Sequence, residues 1–332
     1  MKLRLKHWIL SSIGITFIAT ELTLRLGFGL GNPALLQADS DTGYRYQPNQ
    51  KISRFSNKIE YNQYSQRSDP ITSQKPKGTL RILMTGDSVL NGGNAIAQEQ
   101  IISELLEAKF LASGRLTEVL NASAGSWGIG NQLGYLRKFG IFESDVVIVQ
   151  IGTHDLIQTT STSEPVGHHP AFPNRPPLLA IQEVFTRYIG LRLFWRFGSS
   201  FPSARTPAPS ATEIEQQFQQ NMQDLRAIAT LVRTKNAQLF VLFTPNKEDL
   251  LPTPHIPLYK AEFFQLLNSL QIPVIDSHKA WLTLSPTLIK TYFRDSPHLS
   301  VAGNQAIADL LFEELCLAQQ LATCSRSVRQ GE

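Results

Sequence analysis

The sequence is poor in cysteine: of 332 residues, only Cys316 and Cys324 carry a thiol. No CxxC pair and no Cys/His cluster is present, so neither a structural zinc site nor any other metal or cofactor is expected. The two thiols are too far apart to bond along one continuous helix, and a disulfide would need the helix to end between them. They are read as two separate, partly buried thiols. Charge is also sparse, at 17% of residues against 42% hydrophobic, which argues for a packed core and against bulk disorder. The net charge is +4, yet no Lys/Arg run interleaves with aromatics, so nucleic acid is not an expected partner. No internal repeat is present, which removes solenoids and propellers.

Long apolar runs are scarce too, and the first lies at the N-terminus. Lys2, Arg4, Lys6 and His7 precede the run from Trp8 to Thr20. It is short for a full span of about 20 residues. It can be extended through Leu22, Leu24, Leu26, Phe28 and Leu30, but Glu21 and Arg25 interrupt it. Those two stand four apart on a helix, where they can pair or snorkel. No A-x-A cleavage site comes after it, so residues 1–30 are expected to be a retained signal-anchor. The leading basic residues keep the N-terminus inside and send the remainder across a single membrane span. A cleaved signal and an amphipathic helix of a soluble protein are the alternatives.

Residues 31–78 are polar and read as a stalk that packs on the main domain through short strands and turns. From Leu80 a βα alternation begins. Leu80–Thr85, Leu116–Asn121, Asp145–Ile151, Gln238–Thr244 and Ile272–Asp276 read as strands; the third is the clearest, an apolar run suited to a parallel strand covered on both faces. Helices are expected over 95–112, 131–139, 211–234, 259–270 and 301–321. Residues 157–210 break the rhythm with Pro, Ser and Thr and an aromatic patch from Phe185 to Phe197, and read as an insertion or lid. This pattern predicts a three-layer αβα sandwich on a parallel five-stranded sheet over 79–322, with a tail at 323–332.

Four short motifs carry chemistry. Gly86-Asp87-Ser88 comes directly after the first strand, at the sheet edge where open α/β folds place their sites. Asp295-Ser-Pro-His298 precedes the last helix, where a carboxylate can hold one imidazole nitrogen and leave the other to take a proton from Ser88. Gly152-Thr-His154-Asp155 ends the third strand, and Asn121 to Gly128 closes the second. Singly, each is an ordinary turn. Together they converge on one edge.

In this combination the sequence resembles the GDSL/SGNH hydrolases, whose blocks are a Gly-Asp-Ser nucleophile, a second-block Gly, Gly-x-Asn-Asp and Asp-x-x-His. The resemblance covers roughly Leu80 to Leu321, with the insertion outside it. It implies Ser88 as nucleophile, His298 as general base and acid, and Asp295 as its orienting carboxylate. The Ser88 N–H would be one oxyanion donor, with Gly125 or Ser126 supplying a second and His154 standing where the family has Asn. Asp87 and Asp155 would support them. It further implies an extracytoplasmic esterase acting on short acyl esters, with O-acetyl groups of polysaccharide as the substrate class. Acyl transfer to a polysaccharide, and a non-catalytic carbohydrate-binding or assembly protein on the same fold, are the other readings.

Overall fold

The chain enters through one continuous helix, α1 (Lys2–Phe28). Two antiparallel hairpins come next, β1 (Leu36–Asp39) with β2 (Gly43–Tyr46) and β3 (Gln50–Arg54) with β4 (Asn57–Tyr61). The computed structural model describes residues 2–189 and 209–318. The main sheet is built from β5 (Leu80–Gly86), β6 (Thr117–Ser123), β7 (Val146–Gly152), β8 (Gln238–Thr244) and β9 (Val274–Asp276), in the order β6-β5-β7-β8-β9 with every pair parallel.

Every residue of β5 and β7 is buried, as befits central strands covered on both faces. Side chains alternate between the faces. Leu83, Val147 and Val241 enter one core with α4 (Ile129–Phe139), α6 (Ala211–Thr234) and α7 (Lys260–Ser269). Ile82, Ile148 and Leu242 enter the other with α3 (Ile102–Ala112) and α10 (Val301–Ala318). The result is a three-layer αβα sandwich. Because the chain places β6 on one side of β5 and β7 on the other, the carboxyl ends of β5 and β7 flank a topological switch point.

The structure differs from the sequence expectations in several places. Residues 95–101 are not helical: short 3₁₀ turns fill that stretch and the helix starts at Ile102. The short helices α8 (Ser277–Trp281) and α9 (Pro286–Tyr292) are not among the expected elements, nor are those at Ser88–Asn91 and Ala180–Glu183. All are under three turns, too short for a periodic signal. Cys316 is disulfide-bonded, which overturns the reading of two separate thiols. The other cysteine, Cys324, lies outside the described residues, as do residues 190–208 of the stretch read as an insertion or lid.

Residues 31–78 join the domain closely. Arg67 is fully buried; its guanidinium donates to the carbonyls of Asn91, Gly93 and Ile96, just beyond the first strand. Arg54 is also fully buried and meets Glu183 of α5 (Ala180–Glu183) at 2.6 Å, with Glu183 accepting from Gly31 N as well. Removing one member of a buried pair strands the other charge. Glu183→Ala should therefore lower the unfolding free energy of the full chain by about 3–5 kcal/mol in denaturant titrations. A loss below about 1 kcal/mol would mean the pair is not needed where it stands.

Candidate active site

Strand β5 ends at Gly86 and turns at once into the short helix α2 (Ser88–Asn91). Asp87 caps it, its Oδ1 accepting from Val89 N at 2.7 Å. Ser88 is thus the first helical residue, and its N–H has no acceptor within the helix. The Ser88 hydroxyl lies 2.9 Å from His298 Nε2. His298 Nδ1 in turn forms a short hydrogen bond with Asp295 Oδ1.

The Asp295–His298 turn is tight. Phe293 and Leu299 pair across it, and Arg294 N and Asp295 N both point at His298 O. Partial burial opposes the charge on Asp295, but His298 and Arg294 outweigh it and hold the carboxyl below its ordinary range. An ionised Asp295 keeps the proton on Nδ1 and leaves Nε2 to accept from Ser88. The chain Asp295–His298–Ser88 can therefore draw a proton off the hydroxyl as it attacks a carbonyl. His298 and Asp295 are 32% and 53% exposed, so the site is open at the sheet edge.

His154 has a different position from the one expected. Its Nε2 lies 2.7 Å from Asp87 Oδ2 and its Nδ1 3.1 Å from Asn246 Oδ1. Both ring nitrogens are engaged, so neither directs a free N–H at an oxyanion. Burial disfavours a charged ring, yet Asp155, Asp87 and Asn246 together outweigh it and raise its pKa to about 10. A protonated ring can donate to both partners at once. Asp155 lies 3.5 Å from the same Nε2 and takes Gly152 N on its other oxygen. Burial and the nearby Asp87 raise the Asp155 pKa. Among the described residues, Asp87, His154 and Asp155 are also the one group with metal-ligand atoms within 4.8 Å of one another. The 2.7 Å Asp87–His154 contact is that of a charge-assisted hydrogen bond, with a proton between the two atoms.

Two glycines make this packing possible. A Cβ on Gly86 would sit 2.4 Å from Gln150 Oε1, which accepts from Asp87 N, and one on Gly152 would sit 2.7 Å from the His154 ring. The loop after β6 carries Gly125 and Ser126, the latter in left-handed backbone at φ 61°. Their carbonyls are fixed from outside: Tyr44 OH donates to Gly125 O at 2.5 Å, and Gln158 Nε2 donates to Ser126 O at 2.8 Å. Tyr44, Arg67, Gln150 and Asn246 were not singled out from the sequence. Gln150, inside an apolar strand, was the one with a visible signal: a lone amide there needs partners, and it finds Asp87 N and Thr244 Oγ1.

The profile of the GDSL-like Lipase/Acylhydrolase family matches residues 84–306, about two thirds of the chain. The chain belongs to that family. It is an ester-hydrolysing serine hydrolase. No curated protein matches it. Solved structures that are similar include the acetyl xylan esterase AlAXEase (13% identity, covering 71% of this chain and 99% of that one, TM-score 0.47). The psychrotrophic esterase EstA from Pseudoalteromonas sp. gives 15%, 73%, 99% and 0.42. A lipase/acylhydrolase from Enterococcus faecalis gives 16%, 71%, 95% and 0.42. These likenesses are weak, and the assignment rests on the family match.

The charged imidazole makes stability depend on pH. A pKa raised on folding, from 6.5 to about 10, gives stabilisation that is complete below pH about 6.5 and lost as pH climbs through 10. Denaturant titrations at pH 6.5 and 10 should show the chain losing on the order of 1–4 kcal/mol between them. His154→Asn should flatten that slope. An unchanged slope in the variant would contradict a charged His154.

Proposed function

We propose that this chain is a membrane-anchored, extracytoplasmic esterase that removes short acyl groups, O-acetyl on polysaccharide being the substrate class. Ser88 attacks the ester carbonyl while His298 takes its proton; His298 then returns a proton to the leaving alcohol. Water, activated by the same imidazole, releases the acid. Asp295 holds His298 in register. The Ser88 N–H and a backbone N–H of the Gly125–Ser126 loop face the developing oxyanion, and His154 positions Asp87 beneath Ser88.

The observation that carries this reading is the continuous hydrogen-bonded chain Ser88–His298–Asp295. Its exposure supports an ester displayed on a large, soluble polymer, which can approach an open edge without entering a tunnel. For location, Lys6–Phe28 is long and apolar enough to cross a membrane. The basic residues before it support an N-terminus held inside. The disulfide at Cys316 supports an oxidising compartment for the domain.

The full chain in detergent should hydrolyse p-nitrophenyl acetate, and acetylated xylan should release acetate. Ser88→Ala and His298→Ala should each lower kcat by at least about 1000-fold while the fold stays intact. Equal rates in wild type and Ser88→Ala would remove Ser88 as the nucleophile. Residues 21–28 must be retained in such work, since Glu21 and Arg25 pack on the domain.

A further inference from the structure

The last two turns of α1 belong to the domain. Glu21 accepts from Ala180 N at 2.7 Å and Ile181 N at 3.0 Å. Arg25 donates to Leu178 O at 2.7 Å and to Glu21 at 2.6 Å. The apolar run still free for lipid, Trp8 to Thr20, is about 20 Å long at 1.5 Å per residue. A bilayer core is about 30 Å thick. The shortfall is met when the bilayer reaches Glu21–Phe28, whose charges are already paired. Whatever is docked on those turns is then drawn to the membrane surface with them.

That docked surface is apolar. Leu178, Leu179, Phe185, Tyr188 and Ile189 are all exposed, Leu178 at 88% and Phe185 at 58%. Phe55, from the β3–β4 turn, is exposed too and meets the Tyr188 ring edge-on at 6.3 Å. The charges nearby are satisfied internally: Glu183 is held by Arg54 at 2.6 Å and by Arg187 at 3.2 Å. The sequence beyond continues with Leu193, Phe194, Trp195 and Phe197 between and around Arg192 and Arg196, the composition of an interfacial segment.

We propose that residues 178–189, with Phe55, form a second membrane contact that sits in the lipid headgroup region at the base of α1. The proposal rests on the reading of α1 as a membrane anchor. Bilayer thinning is one response to a short span; an apolar collar beside Glu21 makes it unnecessary. The domain is then seated on the membrane in one orientation, and the active-site edge keeps a fixed attitude to the surface instead of swinging on a tether.

Single cysteines at Ile13→Cys, Leu178→Cys and Phe185→Cys in the full chain, each labelled with an NBD fluorophore, test this directly. The protein is reconstituted in phosphatidylcholine/phosphatidylglycerol vesicles that carry nitroxide lipids labelled near the headgroup or mid-chain. Ile13 should be quenched most by the mid-chain nitroxide. Positions 178 and 185 should be quenched about two-fold or more, and most by the shallow one, as for a segment buried about 5–10 Å into the interface. Quenching at position 13 with none at 178 and 185 would overturn the proposal and leave the anchor standing. No quenching at any of the three would overturn both.

Discussion

Asp87 is a carboxylate with 1% of its side chain exposed, one residue before the nucleophile. A buried anion without partners would cost several kcal/mol, so the chain around it is arranged to satisfy it. Val89 N–H takes one oxygen and His154 the other. Its own N–H goes to Gln150, whose amide is tied to Thr244 on the next strand. Three neighbouring strands thus meet at one side chain, and Ser88 stands on the peptide they fix. This accounts for the imidazole at 154, whose two nitrogens reach Asp87 and Asn246 at once. It also accounts for glycine at 86 and 152, since a Cβ at either would push Gln150 or His154 away.

The residues before the sheet act on the same centre from the opposite side. Arg67 ties three carbonyls in and just beyond α2. Tyr44 receives the Trp127 indole N–H on its carbonyl and gives its own hydroxyl to Gly125. Both loops beside Ser88 are therefore braced by residues 31–78, which form part of the site's support. The same region holds the insertion through Arg54 and Glu183, and the insertion holds α1 through Glu21 and Arg25. One run of polar contacts connects α1 to the catalytic edge.

The sheet was legible because its strands are short apolar runs, each closed by a small or polar residue, and five such runs separated by helical periodicity admit few arrangements. Ser88, His298 and Asp295 were legible because their blocks end strands or begin a helix, and a parallel sheet gathers those ends at one edge. The partners of His154 were not. Asn246 lies 92 residues further on, and only the pairing of β7 with β8 brings it near. Arg54 and Arg67 were lost in a polar stretch for a similar reason: nothing local distinguishes a buried arginine from a solvated one until its distant partners are known. The disulfide is not legible in the sequence because spacing along a helix says nothing about where the chain leaves it.

The claim on which the account stands is that Ser88 is an activated nucleophile. The most direct measurement is covalent trapping: the full chain is treated with a fluorophosphonate, digested and mapped by mass spectrometry. The account predicts one phosphonylated residue, Ser88, with labelling slowed when His298 is replaced. An adduct on a different serine, or none under conditions that label other serine hydrolases, would contradict it.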